Sequence, residues 1–403
     1  MQHPKAGSRV LQVIAIPFLA VVTGLLLGGV FIILTSEEVY AAFRQSFGSG
    51  LLAAWRAAWQ SYVALFTGAI GDPARIVAAL QSGDGLEIRR AFNPILESLV
   101  NTTPYIFGGL AVALGFRAGV FNIGVEGQIF IGAATCAFVG YSVSGLPAIL
   151  HIPLALLAGA LGGALWGFIP GWLKAKTGGH EVINTIMMNY IAFRLSDWLL
   201  RGPMKAPGQH NPVSPKILET AMLPRFFESP IRFHLGFFIA LAVAYLVYWF
   251  MFKTTWGFDL RMVGANPHAG RYAGSNVTRN IVLAMTLSGA LAGLAGANEV
   301  MGVNHNLAMA FSSGYGFDSI ALALLGNNHP LGVVLASLLF GTLRNGATRM
   351  QVAAGIPIDI IAILQAMILM FIAAPAIIRT IYRLRFKVQV EGAVTIRGWG
   401  GKS

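Results

Sequence analysis

Charge is scarce in this sequence. Asp, Glu, Lys and Arg together make up 11% of its 403 residues, against about 25% in a soluble domain. A soluble globular fold is excluded on that ground. Cysteine is scarcer still. Cys136 is the single one, so no internal disulfide forms and no metal-ligand companion stands beside it. Inside its apolar run it reads as a small buried hydrophobe. Catalytic signatures are missing too: no histidine pair at zinc-binding helical spacing, no Gly-x-Ser-x-Gly elbow and no defensible pair of carboxylates. His180 beside Glu181, and His305, stand isolated, which leaves a membrane-embedded enzyme without the cluster it needs. Gly400-Gly401-Lys402-Ser403 looks like the end of a phosphate-binding loop, but Ile396 stands where its first glycine belongs. The chain is therefore expected not to be an enzyme and to need no cofactor. Any energy source is a partner or an ion gradient.

Apolar residues fill the gap, at 56% of the chain, gathered into long runs between polar connectors. A hydrocarbon core of about 30 Å needs about 20 helical residues. Suitable runs lie at 13–34, 94–115, 122–143, 149–173, 180–200, 233–252, 279–301, 305–325, 330–346 and 356–378. Gly314-Tyr315-Gly316 and Asn327-Asn328-His329-Pro330 interrupt the pair 305–325 and 330–346, which points to short or re-entrant pieces. The expected fold class is all-α: a polytopic transmembrane helical bundle of about 10 spans, forming one domain over residues 1–403. The net charge of +12 is not a nucleic-acid footprint, because the basic residues lie between and after apolar runs, as the positive-inside bias predicts. With Lys5 and Arg9 inside, an even number of crossings keeps Arg117, Lys174, Lys176, Lys253, Arg261, Arg271 and Arg279 inside. It also puts the basic tail 379–403, with Arg379, Arg383, Arg385 and Lys387, in the cytoplasm with the N-terminus. The first run carries no small-residue cleavage site and is expected to remain as a helix.

Residues 35–93 then fall outside, as an extracytoplasmic or interfacial insertion. Within it Trp55, Trp59, Leu65 and Phe66 mix with Arg56 and Gln60 before Asp72-Pro73 interrupts, a pattern that suits a helix lying at the interface. Segment 201–231 is crowded by Pro203, Pro207, Pro212, Pro215, Pro224 and Pro230 and reads as a stiff irregular loop. Gly159, Gly163, Gly167 and Gly171 recur every fourth residue along one helix face, and Gly289-x-x-x-Gly293 repeats the device. Both are packing signals that let helix backbones approach closely.

Polar groups inside the apolar runs are few and local. Phe116 to Phe130 holds Asn122, Glu126 and Gln128, laced with Gly119, Gly124 and Gly127. A carboxylate at the centre of a span costs on the order of 2.5–3.5 kcal/mol, and an unwound backbone at membrane depth is tolerated only beside protein or water. Asn184 and Asn189, after Glu181, follow on the fifth run. These side chains suit a path for a polar, uncharged solute. They suit hydrogen-bonded glue between helices equally well, and both readings stand. Arg194 and Asp197 are three apart and pair on one helical face. Asn298 with Glu299, Asp359, and Glu97 and Asp318 near run ends complete the ionisable set. In the inner loop 254–277, Asn266 caps and Pro267 opens a short helix over 267–273 that Gly274 stops. A soluble motor domain could grip such a helix.

Four stretches together carry a family likeness: Phe116 to Gln128, His180 to Ile191, Gly264 to Gly274, and Gly316 to Pro330. They resemble the permease subunits of ATP-binding-cassette importers for ribose, branched-chain amino acids and nucleosides, and look closest to the nucleoside or simple-sugar branch. The likeness covers residues 94–378. It implies a multi-pass protein of the bacterial inner membrane that works with a second, different permease, two cytoplasmic ATPases and an extracytoplasmic binding lipoprotein, among membrane lipid. It also implies alternating access for a nucleoside, with Asn122, Glu126, Gln128, Asn184 and Asn189 along the path. Gly264, Ala265, Asn266, Pro267, His268, Ala269, Gly270 and Arg271 would form the helix that couples to the ATPase. Gly270 departs from the alanine usual in that family, and a glycine inside a helix costs about 1 kcal/mol, which shortens the helix expected there. Two alternatives stand beside this one. The solute is ribose or another simple sugar, or the chain is an ion-coupled secondary transporter using Glu126, Glu299 or Asp359, for which a dense acid–base relay is missing.

Overall fold

The computed structural model describes residues 6–383. Lys5 and the part of the basic tail holding Arg385 and Lys387 lie outside the described residues, as does the Asp359 side chain. The chain opens with α1 (Ala6–Thr35), α2 (Glu37–Gln45), α3 (Phe47–Ile70) and α4 (Pro73–Ser82). It continues through α5 (Gly85–Arg117), α6 (Val125–Ser142), α7 (Ala148–Thr177), α8 (Glu181–Arg201) and α9 (Gly236–Lys253). Next come α10 (Thr255–Ala265), α11 (Pro267–Tyr272) and α12 (Val277–Asn298), which runs on into one wide turn over Glu299–Asn304. The chain then forms α13 (Tyr315–Leu325), α14 (Pro330–Ala354), α15 (Ile358–Ala373) and α16 (Pro375–Ile381). Local chemistry sets the starts. Ser46, Asp72, Asp84 and Asn276 each accept a first-turn backbone N–H, of α3, α4, α5 and α12 respectively.

The chain is thus an all-α bundle, and a helix stands in each expected run. The runs are not alike. Among the described residues, six helical segments are long and apolar enough to cross a membrane: Phe18–Thr35, α5, α7, α9, Val277–Asn304 and Pro330–Ala353. The shorter α13 begins only at Tyr315, so the run expected at 305–325 is an irregular stretch followed by a short helix. Range 35–93 contains α2, α3, α4 and the first turns of α5. There α3 lies against α14: Gly68 and Gly346 meet backbone to backbone, and Asn345 Nδ2 donates to Gly68 O (3.0 Å) and Pro94 O (2.9 Å). Bent by 43° against α4, it forms a pair that also meets the length and composition of a span.

Two sets of four helices, α5–α8 and α12–α15, run in opposite senses. Arg117 at the end of α5 donates to Asn327 O (3.1 Å) and Asn328 O (3.0 Å) in the turn between α13 and α14. Glu97 near the other end takes Arg232 in a forked pair at 2.6 Å. By contrast α12 starts beside α11 and ends where Leu223 N donates to Met301 O (3.0 Å), under the proline-rich loop. In each set the second helix follows a segment that turns back into the protein.

The crossing of α7 and α12 is made of glycine. A Cβ on Gly163 would lie 2.7 Å from Gly293 Cα, and one on Gly167 would lie 3.1 Å from Gly289 Cα. Side chains this small let two antiparallel backbones touch without a residue between them. Gly163→Val should therefore overpack the crossing and destabilise the purified protein by about 1–3 kcal/mol. Thermal unfolding in detergent checks it against Gly85→Ala, where a Cβ meets open space. Equal midpoints for the two variants would contradict this packing.

Candidate functional site: a carboxylate between two broken helices

After α5 the chain turns sharply. Gly119 has φ +73°, and a Cβ there would lie 2.7 Å from the Gly264 Cα at the end of α10. Both the dihedral and the contact call for glycine. Residues 120–124 then re-enter the bundle before α6 begins. Their backbone polar groups have no helix to satisfy them, and the expected polar side chains do so. Asn122 Oδ1 accepts from Gly124 N (2.9 Å), while its Nδ2 donates to Gln128 Oε1 (2.9 Å) and Ser288 Oγ (2.8 Å). Ser288 passes the link on to Ala111 O (2.7 Å), so α5, α6 and α12 meet at one amide. Asn189 of α8 accepts from Gly127 N (2.8 Å) and donates to Ile123 O (2.9 Å). Asn122, Gln128 and Asn189 are all buried. Asn184, half-buried toward the start of α8, takes no part in this cluster.

Glu126 does something different. Its carboxylate accepts from Ser312 Oγ (2.6 Å) and from Gly316 N (2.5 Å), at the first turn of α13. The two broken helices thus meet N-terminus to N-terminus. A Cβ on Gly316 would lie 2.6 Å from the Glu126 Cα. A carboxylate at a helix N-terminus satisfies orphan donors and meets the positive end of the helix dipole. A polar trio lies behind it: Tyr105 Oη donates to Asp318 Oδ2 (2.9 Å), and Arg344 Nη1 donates to Tyr105 Oη (2.8 Å) while standing 3.6 Å from Asp318. Sequence reading placed Asp318 near a run end and passed over Tyr105 and Arg344. Arg344 inside the apolar run 330–346 was the signal available.

Beside Glu126 a cavity of about 480 Å³ opens between α6, α8 and residues 309–317. Glu126, Tyr190, Arg194, Asp197 and Ser312 are among its lining side chains. Arg194 and Asp197 stand 3.9 Å apart, and the arginine side chain is 87% exposed, so their pairing contributes little to stability. No group of His, Cys, Asp and Glu able to hold a metal occurs among the described residues.

At the Arg117 face, Asn266 Oδ1 accepts from His268 N (2.9 Å) and Ala269 N (3.2 Å), capping α11. Gly270 is buried against α10, where a Cβ would sit 2.9 Å from Val263 Cγ2. That contact explains glycine in place of alanine. Gly274, at φ +85°, lies just past the helix. Tyr272 is almost wholly exposed and Phe258 and Trp256 about half. At the opposite face the loop 202–235 covers the wide turn after α12. There Glu97 holds the Arg232 guanidinium above its usual pKa, and burial, with Arg225 nearby, pushes His234 down to about 4.

The family described as the permease component of branched-chain amino acid transport systems matches residues 94–373. The chain belongs to that family. It is 45% identical over 306 residues to the guanosine ABC transporter permease protein of Bacillus subtilis, covering 74% of this chain and 85% of that protein. It is 38% identical over 287 residues to the glucose ABC transporter permease protein of Haloferax volcanii, covering 69% and 75%. A nucleoside ABC transporter permease protein of Lactococcus lactis is 33% identical over 310 residues, covering 75% and 85%. No solved structure matches. This permease is a multi-pass membrane protein of an ABC transporter, and the likeness spans both broken helices and the α10–α11 loop.

Asn189 is the permease residue whose removal most cleanly tests the wall beside Glu126. Asn189→Leu leaves Gly127 N–H and Ile123 C=O buried without partners, so it should cost about 1–3 kcal/mol. A thermal midpoint in detergent equal to that of the unmodified protein would show that these two bonds do not hold the segment.

Proposed function

We propose that this chain is one half of the membrane pathway of an ABC importer for nucleosides, driven by ATP hydrolysis on two separate cytoplasmic subunits. The observation that carries it is the junction at Glu126. Two helices, α6 and α13, begin there inside the bundle beside an open cavity lined by polar and aromatic groups. Broken helices at such depth are tolerated where they line a cavity. The relatives supply the solute class: proteins named for guanosine or nucleoside transport match from two organisms, each organism with a pair of them. Those pairs support a second, different permease as partner. An extracytoplasmic binding lipoprotein completes the assembly in the bacterial inner membrane, docking on loop 202–235.

In this reading the Arg117 face is cytoplasmic, as its arginines and lysines favour, and both termini lie on that side. The α10–α11 loop, Gly264 to Arg271, sits against an ATPase. Its movement reaches the pathway through the Gly264–Gly119 backbone contact, the re-entrant segment and Glu126. Asn122, Gln128 and Asn189 shape the wall through their backbone bonds, Glu126 borders the path, and Asn184 stands nearer its inner mouth. A simple sugar remains the second reading, because the glucose permease protein of Haloferax volcanii is 38% identical to this chain.

Uptake of labelled guanosine, uridine and ribose, each competed by the others, in a strain deleted for this chain and complemented with it, tests the proposal. Restored nucleoside uptake that ribose does not suppress is expected. Gly119→Val should reduce it at least about tenfold at normal membrane abundance, since the neighbouring backbone blocks a side chain there. Restored ribose uptake with none for nucleosides would overturn the nucleoside reading. Full uptake by Gly119→Val would overturn the coupling route.

A further inference from the structure

The cavity beside Glu126 carries more aromatic surface than a polar conduit requires. Tyr190 and Phe193 of α8 meet edge to face at 6.2 Å between centroids. Phe193 meets Phe130 of α6 at 4.9 Å, and Phe130 meets Phe311 at 4.9 Å. These four rings cross three segments of the fold, and Tyr190, Phe193 and Phe130 among them line the cavity. Phe317 of α13 also lines the cavity and is 47% exposed. Tyr190 is 61% exposed. Two exposed rings from different helices in the lining of one cavity suit a flat π-system stacked against them.

The polar groups sit apart from the rings. Tyr190, Arg194 and Asp197 are spaced four and three residues apart, which lines them along one face of α8. At 3.9 Å the Arg194–Asp197 pair is loose enough to open around a hydroxyl-bearing solute. Asp197 then offers an acceptor and Arg194 donors. Glu126 Oε1 already accepts from Ser312 Oγ and its Oε2 from Gly316 N, so this carboxylate is held in place by residues 312–316. Among the described residues, Arg194 is the one cation lining the cavity and already stands against Asp197, which leaves no cation free there for a phosphate. At about 480 Å³ the cavity falls within the roughly 300–1,000 Å³ usual for small-molecule sites.

We propose that this cavity is a transit site for the nucleoside, with the base stacked between Tyr190 and Phe317 and the ribose hydroxyls on Asp197 and Arg194. The proposal rests on the nucleoside reading above and adds its chemistry: neutral nucleosides pass, and nucleotides find no free cation for their phosphates among the described lining residues. Stacking is tolerant of base identity because every base has a π-face, so purines and pyrimidines both use the site.

The test uses the whole transporter in proteoliposomes, with binding protein and nucleoside both saturating, so that capture outside the membrane does not limit the rate. Tyr190→Leu and Phe317→Leu should each cut guanosine and uridine uptake about tenfold, the order expected for losing one stacked ring. Tyr190→Phe should stay within about twofold, because the π-face is kept. A photoreactive azidopurine nucleoside should label peptides holding Tyr190 or Phe317 in the unmodified complex. That arm gives a result even where a leucine variant does not assemble. Unmodified transporter that carries no nucleoside would sink the functional reading and this site with it. Nucleoside transport that survives in both leucine variants, or photolabel confined to other helices, would overturn the stacking site alone.

Discussion

One bond pattern organises the inside of this permease: the Glu126 carboxylate held by the first turn of another helix. Breaking a helix inside a membrane exposes N–H groups that no water can satisfy. Here two helices are broken, and the first turn of one supplies the acceptor for the first turn of the other. Ser312 and Gly316 are ordered by Glu126, and Glu126 is kept buried by them. Each broken end makes the other possible. A cavity can then open beside them without leaving backbone groups stranded.

Glycine makes the surrounding architecture close enough for this to work. The α7–α12 crossing brings Ser288 to the Asn122 amide, which fixes the start of α6 and so the position of Glu126. The Gly119–Gly264 contact ties the same re-entrant segment to the α10–α11 loop at the basic face. A short chain of packed backbone therefore runs from the face proposed to meet the ATPase to the cavity wall. Packed backbone has little compliance, which suits a part that must transmit displacement.

Much of the secondary structure was legible in the sequence, and less of the site. Long apolar runs announced the helices, Asn266-Pro267 announced α11, and the glycine spacing announced the crossing. Those signals are local. Asn122, Glu126, Gln128 and Asn189 could be picked out as unusual, because polar groups in apolar runs need partners. Their partners could not be named. Glu126 is bonded to residues almost two hundred positions away, and no spacing rule reaches that far. For the same reason Arg344 passed unnoticed, since its meaning comes from Asp318 and Tyr105 on two other helices. Gly270 looked like a weakness in α11 until Val263 was seen to occupy the space its side chain would need.

The account stands on Glu126 and Ser312 acting as a pair between the first turn of α6 and the segment that leads into α13. A double-mutant cycle with Glu126→Ala, Ser312→Ala and both together, read by thermal or denaturant unfolding in detergent, measures that directly. Partners in such contact should show a coupling of about 0.5–3 kcal/mol. Strictly additive effects would mean that the carboxylate does not hold the segment that leads into α13, and the central claim would fail.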